Sequence, residues 1–233
     1  QQDGLLMELA QPSGDLALYL NLDSRFHYED ALRNASRIDA TLARTAMARH
    51  DTGLVLLDRA SGSDAVPPSD PAALLQRLRH VFASVLCDAG GCPLRQLPPL
   101  LLDQADEIWL VTDASIATLV SLDQALKHLA GQREREKRLQ LVINRHDDSS
   151  GMSPDQIARR FEVPLLATLP ERPRVRLAAS QGHLLLQDAP RDPYLRALAP
   201  LVSRLDPAAC PVQAHGLRER LSLALGGSQW KTR

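Results

Sequence analysis

Aromatic residues are scarce in this chain, at 3% of 233 residues. Base-stacking platforms and carbohydrate sites are built on such rings, so neither is expected, and the core has to come from Leu, Ala and Val. Cysteine is equally sparse. Cys87, Cys92 and Cys210 form an odd set, too small for a disulfide framework and without the neighbouring ligands of a zinc site. No run approaches the roughly 18 apolar residues that span a bilayer. QQDGLLMELAQ has neither the basic stretch nor the long apolar core of a signal peptide. An excess of charge is missing too: 27 Lys and Arg face 28 Asp and Glu, a formal net charge of −1, so no global field draws in nucleic acid or an acidic membrane. The phosphate cradle GxxxxGK[ST] does not occur, and GGSQWKT near residue 230 has its residue types at the wrong spacing, with no strand before it. These absences leave an ordinary soluble globular protein, with the cytoplasm as the expected compartment and nucleic acid not expected as a partner.

What is present is a regular alternation. Apolar runs at residues 5–9, 54–57, 84–88, 107–112, 139–144 and 164–168 carry apolar side chains at successive positions, as strands buried on both faces do. Helical patterns fall at 71–82, 115–131, 153–162 and 193–205, the last with a kink expected at Pro200. Ser153-Pro-Asp reads as a helix start. Alternation of this kind predicts an α/β fold: a mostly parallel sheet flanked by helices on both faces. Residues 60–71 read as a loop. Residues 206–233 read as a linker and a short helix, apart from an α/β domain over 1–205.

Ligands of open parallel sheets bind beyond the carboxyl ends of the strands, so the residues just after each apolar run carry the chemistry. VLCDAGG closes a strand on Asp88, which can hold the Mg²⁺ shell of a nucleotide or simply form the Gly turn. LVINRHD ends on Asn144 and Arg145; the Asn amide can both donate to and accept from an adenine edge, or cap the turn. Asp15, before LALYLNL, reads as a helix N-cap. Cys87 and Cys92 read as a buried thiol and a loop thiol. QREREKR, 132–138, reads as a solvated connection. Leu217, Leu221 and Leu225 share one face of the last helix, which packs on the domain or a partner, with contact to a membrane surface as the alternative.

Taken in order, the segments GDLALYLNL (14–22), DALRN (30–34), TGLVLL (52–57), the run ending at Asp88, the strand ending in Asn144-Arg145, ATLP (167–170) and QGHL (181–184) resemble the CpaE/TadZ branch of the ParA/MinD superfamily of deviant P-loop ATPases. The resemblance covers about residues 5–205. It implies ATP with Mg²⁺ as cofactor, Asp88 on the metal and catalytic side, and Asn144, Arg145 and Pro170 on the adenine side. It further implies a homodimer working with the pilus-assembly and secretion ATPase machinery of Flp (tight-adherence) pili, at the cell pole or the inner face of the inner membrane.

In that branch the strand at 5–9 is the second of the sheet. The first strand and the phosphate loop are expected upstream of Gln1, so the chain is either a fragment or derives from a parent that lost the loop. Two further departures accompany this one. Glu8 and Ala10 stand where the branch has two Asp, and Asp-Ala-Gly follows β-strand text where it has Asp, an apolar residue and Pro. Without cradle and Lys, transition-state stabilisation falls by several kcal/mol, on the order of a thousandfold in rate. The expectation is therefore a non-catalytic or weakly catalytic scaffold, with a working ATPase switch completed by upstream residues as the alternative.

Overall fold

The computed structural model describes residues 3–10, 15–60, 71–149 and 151–206. The linker and last helix expected over 206–233, with Leu217, Leu221, Leu225 and Cys210, therefore lie outside the described residues except for Asp206. So does most of the loop at 60–71.

The chain alternates as its apolar pattern predicts. β1 (Gly4–Glu8) is followed by α1 (Asp15–Tyr19), α2 (Tyr28–Arg33) and α3 (Ala40–Ala46), then β2 (Ala48–Arg49) and β3 (Val55–Leu57). α4 (Pro71–Val81), β4 (Ser84–Asp88), α5 (Pro99–Gln104), β5 (Ile108–Thr112), α6 (Ile116–Leu129), α7 (Arg133–Glu136) and β6 (Leu139–His146) come next. α8 (Pro154–Phe161), β7 (Leu165–Pro170), α9 (Pro173–Ser180), α10 (Leu185–Asp188), α11 (Pro193–Ala197) and α12 (Ala199–Leu205) complete it.

Among the described residues two sheets form, in the orders β2-β3-β1-β4 and β5-β6-β7. Every pairing is parallel except β2 on β3, a short antiparallel edge reached through a turn in which Gly53 takes a φ of 93°. β2 had no counterpart in the apolar pattern, because two residues are too few to show a period. β1 is held on both sides, Leu5 opposite Val55 and Val85.

Helices cover these sheets where alternate side chains point to opposite faces. Leu5, Met7, Val55 and Leu57 pack with Leu32, Ile38, Leu74 and Leu78. In the second sheet, Leu141 and Ile143 pack with Leu122, Leu129 and Ile157, while Val142 between them joins Leu169 and Leu201 on a separate cluster. The connection from β4 to β5 belongs to both halves. Leu94 packs against both large clusters, Arg79 of α4 donates to the Gln104 carbonyl at 2.7 Å, and Arg135 reaches Asp103 at 2.6 Å.

Several expectations need correction. The helix anticipated at 193–205 is two helices, broken at Leu198, with Pro200 in the first turn of the second, where its missing N–H costs nothing. QREREKR is not a purely solvated connection: it contains α7, and Arg135 is buried against Asp103. Asp15 lies inside the first turn of α1 and is not its N-cap. Cys87 is exposed, since β4 ends its sheet and among the described residues has no neighbour on one side.

That last point is general. β4 and β5 follow one another in the chain, each ends its sheet, and among the described residues they pair with nothing on their outer edges. Leu86 is 38% exposed and Val111 62%, whereas the inner strands β3 and β6 bury their apolar side chains and β1 leaves only Leu6 half-buried. No helix among the described residues is long and apolar enough to cross a membrane.

Candidate functional site

All parallel strands of each sheet run the same way, so their C-terminal residues gather polar groups at one end of that sheet. In the first sheet these are Glu8, Asp58 and Asp88. Glu8 is 1% exposed and its carboxylate accepts the Leu16 N–H at 3.3 Å. Asp58 is buried as well; one of its oxygens accepts the Ser24 hydroxyl at 2.6 Å and meets His27 Nδ1 at 2.9 Å. A serine–histidine–aspartate relay needs the imidazole between the other two, and here both side chains converge on the carboxylate, so the trio is structural. It anchors the start of α2, whose Tyr28 N–H donates to the Asp58 carbonyl at 2.7 Å. Glu29, also buried, accepts from Arg59 at 3.4 Å and from the Ala60 N–H at 3.1 Å.

Asp88 ends β4. One of its oxygens accepts the Gly90 N–H at 2.8 Å, and a side chain at residue 90 would put its Cβ 3.1 Å from that oxygen. The Asp-Ala-Gly-Gly text therefore makes a tight Asx turn. Among the described residues no hydrogen bond engages the second carboxylate oxygen. Among the described residues no group of three or more His, Cys, Asp or Glu side chains converges on a metal position.

The second sheet gathers a different set. Asp113 follows β5. It accepts from the Thr118 hydroxyl at 2.6 Å and the Ser115 N–H at 2.9 Å, and it pairs with the Arg145 guanidinium. The Thr118 hydroxyl first, then Ser115 and Arg145, hold its carboxyl far below the ordinary carboxylate range. Ser115 also caps α6 by accepting the Thr118 N–H. Arg145 sits in the left-handed region at φ 51°, an uncommon place for a non-glycine residue. Its own N–H donates to the Asn144 side-chain oxygen at 2.9 Å. Asn144 thus has its acceptor engaged and its amide N–H groups left to donate. Pro170 ends β7 opposite His146, and the Glu171 N–H donates to the His146 carbonyl at 2.9 Å. Asp113, Ala114, Ser115, Arg145 and Glu171 line a cavity of about 320 Å³.

Asn144, Arg145 and Pro170 therefore share one set of strand ends, and Arg145 faces the cavity, while Asp88 stands at the end of β4 in the other sheet. Asp113, Thr118 and Glu171 were not singled out from the sequence. The signal was available for Asp113, the residue after EIWLVT, under the same rule that selected Asp88 and Asn144. A guanidinium and two carboxylates, from Arg145, Asp113 and Glu171, line the open volume, and a polar edge such as a nucleotide base presents is compatible with them; the Asn144 amide lies outside that lining. On the metal side one free Asp88 oxygen is compatible with Mg²⁺ held through water.

Structural likeness decides the fold. A ParA family ATPase from Chlorobium tepidum superposes with a TM-score of 0.73 at 20% identity, covering 85% of this chain and 83% of that one. The fold is that of the ParA/MinD ATPases. MinD from Aquifex aeolicus gives a TM-score of 0.66 at 16% identity, over 91% of this chain and 87% of its own. MinD from Pyrococcus horikoshii, complexed with Mg-ADP, gives 0.66 at 23% identity, over 88% and 84%. Neither a protein-family model nor a curated protein matches the sequence. At these identities the ParA/MinD-like architecture is shared, and residue roles rest on this chain's own geometry.

Proposed function

We propose that this chain is a ParA/MinD-like scaffold, without efficient ATP hydrolysis of its own, that serves assembly and polar localisation of Flp/Tad pili. The reading is supported by the contrast between its two strand-end clusters. On the base side, Arg145 lines a cavity and is bonded to Asp113, with Asn144 next to it in β6. On the phosphate side, Glu8 is buried against the Leu16 N–H, Ala10 carries no acid, and Asp88 is engaged in its own turn. Phosphoryl transfer depends on positioned charge at the phosphates, which this set does not supply. Nucleotide with Mg²⁺ is the cofactor class, the Mg-ADP complex of the Pyrococcus MinD being the parallel. A homodimer and the pilus secretion ATPase machinery are the proposed partners. The test is direct: steady ATP turnover by the purified polypeptide, abolished by Asp88→Ala, would overturn the non-catalytic half. A tagged chain that stays diffuse in cells bearing Flp pili would overturn the localising half.

A second reading, a working ATPase switch, is favoured by one observation. Among the described residues, β4 and β5 leave their outer edges unpaired, with apolar residues exposed at Leu86 and Val111. One more parallel strand hydrogen-bonded to both would join the two sheets into one. Its following loop would then emerge between Asp88 and the Asp113–Arg145 pair, where the strand order changes and phosphates are bound in open α/β sheets. A native-cell mass well above 25.6 kDa, with a glycine- and lysine-rich loop in the extra sequence, would favour this switch over the scaffold.

A further inference from the structure

A second cavity, of about 540 Å³, opens beyond β7 and shares no lining residue with the first. Arg172, Arg174 and Arg191 line it together with Asp188, Ala189, Pro190, Asp192 and Pro193. Three guanidiniums around one hollow repel each other, so a folded chain has to offset them. It does so for one only. Arg172 reaches Asp192 at 3.2 Å, and that carboxylate is also committed to the Tyr194 N–H at 2.9 Å. The Tyr194 N–H, with Arg172 and Arg174 adding to it, holds the Asp192 carboxyl below its ordinary range, so it stays charged. Asp188 faces His183 at 3.6 Å. Among the described residues Arg174 and Arg191 have no carboxylate partner.

The Arg172 Nε is buried from solvent and its Nη2 is engaged by Asp192, which leaves Arg174 and Arg191 as the guanidiniums open to the hollow. The first turn of α9 adds to the same field, since Arg172 stands at its N-cap position with no side-chain cap.

We infer that this hollow is an anion site for a small, multiply charged phosphate ester, held by the exposed guanidiniums of Arg174 and Arg191. Guanidinium forks match phosphate oxygens in pairs, which is why two unpaired ones on one cavity select phosphate over a monocarboxylate. The volume lies in the range of small-molecule pockets, which favours a soluble ligand over an extended polymer.

Calorimetric titration of the full chain with inorganic pyrophosphate tests this. Saturable binding is expected, weakened at least about tenfold in the Arg174→Ala/Arg191→Ala variant and unchanged in Arg159→Ala, an exposed arginine of α8. Arg174 and Arg191 are both exposed, so the double variant should melt with the parent, and Arg191→Gln alone provides a milder change. No saturable binding, or equal weakening by Arg159→Ala, would overturn the site in favour of diffuse surface charge. Co-sedimentation with phosphatidylglycerol vesicles that depends on Arg174 and Arg191, in the absence of pyrophosphate binding, would overturn it in favour of a lipid headgroup.

Discussion

The inner strands β3 and β6 and the terminal strands β4 and β5 are written in the same alphabet but live in different surroundings. LVLL and LQLVIN bury Val55, Leu56, Leu57, Leu141 and Ile143 completely, while SVLCD and IWLVT leave Leu86, Cys87 and Val111 exposed. Apolar text makes a strand in every case. What differs is whether a neighbour hydrogen-bonds to the second edge, and with it whether the side chains on both faces are shielded. The lesson is that a run of apolar residues reports the burial a strand is built for, and exposure along such a run marks a place where something packs.

The largest test of this contrast lies in β6. Leu141→Ala should cost about 2–5 kcal/mol in chemical denaturation, since it leaves a cavity in the cluster with Leu122, Leu129 and Ile157. A loss below about 1 kcal/mol would mean that β6 is no better packed than its neighbour. Next comes the network at the strand ends. Asp113→Asn should cost about 1–3 kcal/mol by weakening bonds from Thr118, Ser115 and Arg145. The sign with pH follows from the lowered folded-state value. The stabilisation is complete above the unfolded value of about 3.9 and is lost as pH falls through the lower folded one, so the two proteins converge only in strong acid. A stability gap that widens on acidification would contradict the assignment.

A smaller effect separates the capping of α8 from burial. Ser153 accepts the Gln156 N–H while Gln156 Oε1 accepts the Ser153 N–H, so Ser153→Ala should cost about 1 kcal/mol with the fold intact. The smallest effect sharpens the comparison most. Val111→Ala on the open edge of β5 should change stability by less than about 0.5 kcal/mol. If it instead costs as much as Leu141→Ala in the protein purified from its native cell, an additional strand covers that edge there.

Much of the architecture was legible in the chain itself. Six apolar runs became six strands within a residue or two at each end, and Ser153-Pro-Asp opened a helix because capping chemistry is local. Pro170 followed only from the family resemblance, whereas Asn144 and Arg145 could be placed at a strand end by the same reasoning. The Asp113–Arg145 pair could not, since its members lie 32 positions apart and meet only because β5 and β6 are neighbours in the sheet. Arg135 read as a solvent-facing charge because its partner, Asp103, is equally remote. Cys87 read as buried because its flanking residues are apolar, and nothing local records that β4 ends its sheet among the described residues.

Periodicity, capping and turn chemistry act over a few residues, so the sequence alone determined that this is an alternating α/β chain with polar residues at its strand ends. Strand order, the division into two sheets with β4 and β5 at their limits, the convergence of Asp113 with Arg145, and the arginine-lined hollow beyond β7 belong to the tertiary structure. Each depends on which distant segments share an edge or a face, a choice made by the joint burial of both partners and carried by neither alone.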